Sequence, residues 1–173
     1  MKSSLPKNTF AFDPTKPICL MALSSPVAEA AYKNGLSGLE KLNLKYFSAF
    51  DALRTYEAQE HRFPAYSDAE RADFLMQNLL NPNVNTILCI RGGAGSLGLL
   101  EHLDFGKIAN CNKFFIGFSD VSTLLINLYQ KTGIACVHGP MQAVSFSKIS
   151  NENPAISQSA QVLNLLKRAL THF

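Results

Sequence analysis

A serine and a run of glycines have the residue types and spacing for chemistry. Ser119 stands in Gly117-Phe118-Ser119-Asp120. An apolar run (Phe114, Phe115, Ile116, Phe118) precedes it, and leucines at helical spacing (Leu124, Leu125, Leu128) follow. A serine at such a strand-to-helix junction has two roles open to it. Its hydroxyl can cap the helix, with Asp120 favourable to the helix dipole. Alternatively, it is a nucleophile forced out above a sheet on a sharp turn, where the following amides stabilise an oxyanion. That turn ordinarily has small residues two before and two after the serine. Gly117 supplies the first, but Val121 stands in the second place, so this stretch by itself favours the cap.

The glycine run is "RGGAGSLG", residues 91–98. Gly92, Gly93 and Gly95 allow close backbone approach to a ligand, or positive φ. Gly93, Gly95 and Gly98 also satisfy GxGxxG after a strand. A dinucleotide fingerprint needs an acidic residue about 20 positions on, at the end of the next strand. Only Asp120 is near that place, and the glycines follow a late strand instead of the first. Three further residues belong to this inventory. Ser25 lies in "LSSP" (23–26). His138 ends the apolar run of "VHGPM" and reads first as a structural hydrogen-bonding residue and second as a base. Asp104 has acid–base chemistry but equally suits a helix N-terminus.

These residues need a scaffold, and the hydrophobic pattern supplies one. Strand candidates are 17–24, 44–50, 84–90, 113–118 and 133–139. They are continuously apolar instead of alternating, which marks a parallel sheet covered on both faces. Helical stretches lie between them. Pro26 sits near the first turn of one. Another begins at a capping box, Ser67 with Glu70, and has Pro82 just past its end. Residues 51–66 read as polar and irregular, and "LGLLEHLDFGKIAN" as one or two short helices. The expected fold is α/β: three layers, doubly wound, mainly parallel and flavodoxin-like. Residues 1–14 read as an irregular tail, 15–140 as the α/β domain, and 141–173 as a loop and amphipathic helix. In such sheets ligands sit outside the carboxyl ends of the strands, where "LSSP", "RGGAGS" and "GFSDVS" all fall.

Bulk properties narrow the class. The 173 residues are 47% hydrophobic and 17% charged, which fits a globular chain with a core. The net charge of +3 is scattered, without the stripe that nucleic acid would want. Cys19, Cys89, Cys111 and Cys136 form no CxxC pair, so no metal is expected and reduced thiols in a reducing compartment are. No apolar run approaches a membrane span, and "MKSSLPKNTFAFDPTKP" lacks a signal core. The expectation is a cytoplasmic protein that takes neither membrane nor nucleic-acid partners.

Several motifs together carry a family resemblance. "SDAERADFLMQNLLNPNVNTILCIRGGAGSLGLLEHLDF", "KFFIGFSDVSTLL" and "VHGPM", in that order, resemble the N-terminal half of the LD-carboxypeptidases, the serine peptidase family that includes microcin-immunity proteins. "ALSSP" resembles the family's first-strand "APSSP", and the likeness runs over about residues 15–170. The resemblance implies a single domain of a normally two-domain cytoplasmic enzyme that needs no cofactor. It implies cleavage of an amide between an L- and a D-configured centre, typically releasing D-alanine from the murein tetrapeptide in peptidoglycan recycling. Ser119 in "GFSD" matches the family nucleophile. Gly92, Gly93 and the amide of Asp120 match the oxyanion loop, and Arg91, Ala94, Ser25 and His138 are pocket candidates.

Two departures qualify what the resemblance implies. The tyrosine of the family's "RGGYG" is Ala94 here, removing an aromatic pocket wall. The family's Ser-Glu-His triad draws its Glu and His from a C-terminal domain. Beyond Pro140 the only Glu and His are Glu152 and His172, neither in a family-like motif. The expectation is a chain that is inactive alone and pairs with the missing C-terminal domain or forms a homodimer. Two other readings stand beside it: a non-catalytic peptide-binding or subunit-pairing remnant, and a flavodoxin-like nucleotide-binding module using residues 92–98.

Overall fold

The computed structural model describes residues 13, 15–49, 66–109, 111–149 and 161. Five parallel strands form one sheet in the order β2-β1-β3-β4-β5. They are β1 (Ile18–Met21), β2 (Tyr46–Ser48), β3 (Thr86–Cys89), β4 (Phe114–Gly117) and β5 (Ala135–His138). Every residue of β1, β3 and β4 is buried, as their unbroken apolar runs require of strands covered on both faces. Register pairs Met21 with Cys89, Leu88 with Ile116, and Gly117 with His138. The carboxyl ends of the four strands β1, β3, β4 and β5 therefore lie side by side.

Helices flank the sheet. Helix α1 (Glu29–Lys41) packs against the short α4 (Gln142–Ser145) and the 3-10 turn Phe146–Lys148. Its two interior glycines make this contact possible. A Cβ on Gly38 would lie 2.1 Å from the carbonyl oxygen of Phe146, and one on Gly35 2.4 Å from that of Gln142. Helix α2 (Asp68–Leu80) packs with the 3-10 turn Leu97–His102, which also meets α3 (Ser122–Thr132). The capping box forms as expected. Ser67 Oγ accepts from the Glu70 N–H, and the Ser67 N–H donates to the Glu70 carboxylate. Gly133, at φ 73°, ends α3 in the left-handed conformation that glycine favours.

The structure differs from the sequence reading in local places. Helix α1 starts at Glu29, after Ala28, so Pro26 lies in the preceding loop and not in the first turn. Of the one or two short helices expected after the glycine run, the described residues form one, the six-residue 3-10 helix Leu97–His102. The expected amphipathic helix near the C-terminus and the irregular reading of residues 51–65 lie outside the described residues, apart from Gln161.

The strand order reverses between β1 and β3. Chain leaving β1 turns toward β2, while chain leaving β3 turns toward β4 and β5. A crevice opens at such a switch point, and doubly wound sheets bind ligands there. The loops after β1 and β3 form its two sides, and the turn after β4 adjoins it.

Candidate active site

Ser119 is exposed immediately beyond the carboxyl end of β4, with φ at 61°. Asn43 is the one other non-glycine residue at positive φ among the described residues. A left-handed serine costs on the order of 1–3 kcal/mol and persists only where its surroundings impose it. The chain passes from β4 into the 3-10 turn Ser119–Val121 and then into α3. The N-cap position of α3 is Val121, without a side-chain cap bond. The Ser119 hydroxyl makes no hydrogen bond among the described residues. The capping role left open by the sequence is therefore not the one the structure shows.

The departure from the small-residue pattern has a steric explanation. Val121 folds back over Gly117, where a Cβ would meet Val121 Cγ1 at 2.8 Å and Cys89 Sγ at 3.3 Å. Val121 itself is fully buried. A side chain two positions before the serine would thus clash, and the position two after it carries a larger side chain packed into the core.

The glycine loop lies against Ser119. A Cβ on Gly92 would approach Ser119 Cβ to 3.0 Å and Ser119 Oγ to 3.2 Å. Gly93 takes φ 127° and Gly95 φ 111°. A Cβ on Gly93 would fall 2.2 Å from Ser25 Oγ, so the β1 loop is nested on this glycine. The N–H groups of Gly92 and Gly93 donate no hydrogen bond among the described residues. Unsatisfied amides in a loop that touches an exposed serine are what an oxyanion site requires.

The other predicted residues hold the loops in place. Ser25 Oγ accepts from the Ala94 N–H at 3.0 Å. Arg91 donates through Nη1 to the Pro26 carbonyl and through Nε to the Gly92 carbonyl, each at 3.0 Å. The Asp120 carboxylate accepts from Ser24 Oγ at 2.6 Å and from the Ser96 N–H at 2.9 Å. Ala94 is exposed at the tip of the loop. His138 is exposed at the end of β5, its ring 6.1 Å from that of Phe118 and tilted to it by 58°. Among the described residues no base is hydrogen-bonded to Ser119.

The sequence reading missed Arg71. It lies on α2, where its spacing looks like that of any surface arginine, yet it is 1% exposed. Its Nη1 donates to the Leu23 carbonyl at 2.6 Å and its Nη2 to the Gly95 carbonyl at 3.2 Å. Nη2 also pairs with Asp68. Burial pulls its pKa below the ordinary arginine value, and the charges of Asp68 and Asp120 oppose that shift. Asp68 in turn nests on Gly98, where a Cβ would lie 1.8 Å from Asp68 Oδ2. Gly98, the last glycine of the GxGxxG frame, thus serves packing, and the run opens a 3-10 turn instead of the helix a dinucleotide site needs.

Comparison with known proteins agrees with this geometry. Residues 18–139 match the family described as the LD-carboxypeptidase N-terminal domain. The chain is 31% identical over 125 residues to the murein tetrapeptide carboxypeptidase of Pseudomonas aeruginosa, covering 72% of this chain and 39% of that protein. Identity to the microcin C7 self-immunity protein MccF of Escherichia coli is also 31% over 125 residues, 72% of this chain and 36% of the relative. The chain therefore spans less than half the length of these relatives. Among solved structures, an inactive mutant of MccF in the apo state superposes with a TM-score of 0.78 at 26% identity, over 92% of this chain and 46% of that one. Muramoyltetrapeptide carboxypeptidase from Oxalobacter formigenes gives a TM-score of 0.68 at 26% identity, over 86% and 46%. The chain belongs to the LD-carboxypeptidase family, and residues 18–139 are its N-terminal domain.

Proposed function

We propose that the chain is the nucleophile-bearing part of a serine LD-carboxypeptidase acting on a murein tetrapeptide or a related peptide in the cytoplasm. One observation carries this reading: an exposed Ser119 at φ 61°, unbonded among the described residues, in contact with a glycine loop whose Gly92 and Gly93 amides have no acceptor there. Ser119 Oγ attacks the carbonyl of the L,D-amide. Gly92, Gly93 and the amide of Asp120 receive the oxyanion. Collapse of the tetrahedral intermediate expels the D-amino acid, whose nitrogen takes up a proton, and leaves an acyl-serine ester. Water then hydrolyses the ester and releases the shortened peptide. Arg91 and Ser25 hold the walls of the cleft, while Ala94 and His138 face its opening.

A serine hydroxyl is a weak nucleophile at neutral pH until an adjacent base takes its proton. We place that base, a Glu–His pair, in a C-terminal domain outside residues 18–139, and infer that the chain alone does not turn over. An enzyme without its base retains a contribution of order 10³-fold from the oxyanion site and binding. The lack of a base at Ser119 among the described residues equally supports a second reading, a non-catalytic remnant that binds peptide.

The test is cleavage of L-Ala-γ-D-Glu-meso-diaminopimelate-D-Ala by the purified chain, alone and mixed with a separately produced C-terminal domain of a relative. Activity confined to the mixture and abolished by Ser119→Ala is the expected result. Tetrapeptide binding without turnover in any mixture favours the remnant, and robust turnover by the chain alone directs attention to His138 as base. Ala94→Tyr restores an aromatic wall and is expected to tighten peptide binding. An unchanged affinity removes the loop tip from the pocket.

A further inference from the structure

We propose that Asp120 and Arg71 are positioning residues that grip one peptide unit, Gly95–Ser96, from opposite sides and so fix the glycine loop against Ser119. The proposal rests on the serine peptidase reading for its catalytic meaning, but its geometry stands independently. The Gly95 carbonyl accepts from Arg71 Nη2 at 3.2 Å. The N–H of the same peptide bond, carried by Ser96, donates to the Asp120 carboxylate at 2.9 Å. A cation holds the oxygen and an anion holds the hydrogen, so the peptide dipole lies along the field between them.

The same two residues grip the β1 loop one residue apart. Arg71 Nη1 takes the Leu23 carbonyl at 2.6 Å, and the Asp120 carboxylate takes Ser24 Oγ at 2.6 Å. Ser96 Oγ closes the arrangement by donating to the Asp120 carbonyl at 2.6 Å. Ser24, Ser96 and Arg71 are each no more than 1% exposed. Bonds of this kind, with a charged partner and little water, are about twice as strong as neutral ones.

The loop needs such a clamp because of its glycines. Gly93 and Gly95 both stand at positive φ, and a glycine chain populates the mirror conformation about as readily. Rotating the 95–96 peptide would turn its carbonyl toward Asp120 and its N–H toward Arg71, reversing both charge contacts. The clamp therefore selects one loop conformation, the one that lays Gly92 against Ser119 and leaves the Gly92 and Gly93 amides without an acceptor among the described residues. Because Asp120 directly follows Ser119, the nucleophile and the oxyanion donors are fixed by one side chain.

Amide hydrogen exchange on the 173-residue chain tests this without any need for activity. In Asp120→Ala the Ser96 amide should exchange about tenfold faster than the change at the core amides Ile87 and Phe115 accounts for. Asp120→Asn keeps the acceptor and should restore most of the protection. Ser24→Ala leaves the peptide grip intact and should raise Ser96 exchange less than Asp120→Asn does. If Asp120→Ala fails to fold, the comparison of the last two variants decides. Overturning results are a change at Ser96 that merely tracks the core amides, or a Ser24→Ala effect as large as that of Asp120→Asn. In an assembly that cleaves tetrapeptide, Asp120→Asn should lower kcat more than it alters KM, and equal changes in both count against the positioning role. Absence of turnover in every assembly counts against the peptidase reading and leaves the exchange result in force.

Discussion

Ser119 and Gly93 show how a site is built from residues that oppose ordinary backbone preference. Each takes positive φ, and each is held there by a neighbour on another strand's loop. For Gly93 the neighbour is Ser25, and the fit has a measurable consequence. Gly93→Ala places a Cβ 2.2 Å from Ser25 Oγ and 2.5 Å from Ser25 Cβ, in addition to its strained φ of 127°. The expected loss is roughly 2–6 kcal/mol in denaturant unfolding, the sum of strain and overpacking. Ser25→Gly removes both clashing atoms, so the double variant should lose less than the two single variants added together. The unfolding free energies of the four proteins measure that coupling. Strict additivity would show that the loops are not nested as described. Gly92→Ala is milder, since its nearest contacts are 3.0 Å and 3.2 Å from Ser119. It should leave the midpoint almost unmoved while displacing Ser119 and abolishing any turnover.

At the scale of elements, local signals and long-range packing divide the work. The capping box at Ser67 is local, and Ser67→Ala should lower stability by about 1 kcal/mol, read as a shift of the unfolding midpoint. Gly38→Ala is a packing matter. Its Cβ would lie 2.1 Å from a backbone oxygen that cannot swing away, so α1 must move off the Phe146–Lys148 turn. We expect a net loss of up to about 2 kcal/mol, ~1–3 from overpacking less the gain of about 1 in helix propensity. The same division explains what the sequence disclosed. Apolar runs between helical ones were enough for the sheet and its parallel sense, although Lys45 and Ser48 interrupt the run of the half-buried β2. The Ser119 junction was visible, but its choice between cap and nucleophile turn was not. That choice depends on Val121 packing over Gly117 and on Gly92 touching Ser119. Arg71 was invisible for the same reason, because its carbonyl partners lie 48 and 24 residues away in the chain. An arginine on a helix betrays burial only when the helix is placed against the loops it serves.

At the scale of the whole molecule, the core that carries the site is also its weakness at alkaline pH. Cys19 on β1 and Cys136 on β5 have their thiols pushed up by burial to about 12, from an ordinary value of 9.0. Cys89 on β3, fully buried beneath Gly117, is pushed up further by burial and by the neighbouring thiols. The folded state thus keeps these thiols protonated where the unfolded chain ionises them. Their stabilising contribution is full below pH 9.0 and is lost as pH rises through 9.0 toward about 12. Each buried thiol then costs about 1.4 kcal/mol per pH unit across that window, or about 2 kcal/mol by pH ~10.5. Because Cys89 lies directly under Gly117 at the start of the turn that carries Ser119, the loss falls on the strands that hold Ser119. Melting temperature should therefore hold up to about pH 9 and fall steeply between pH ~9 and ~10.5. Cys19→Ala and Cys89→Ala should each begin lower, from the cavity they leave, yet decline less over the same range. Parallel declines in the parent and both variants would place the alkaline sensitivity elsewhere, with Tyr46 the next group to examine. Its hydroxyl, bonded to Glu40, is also held up at about 12.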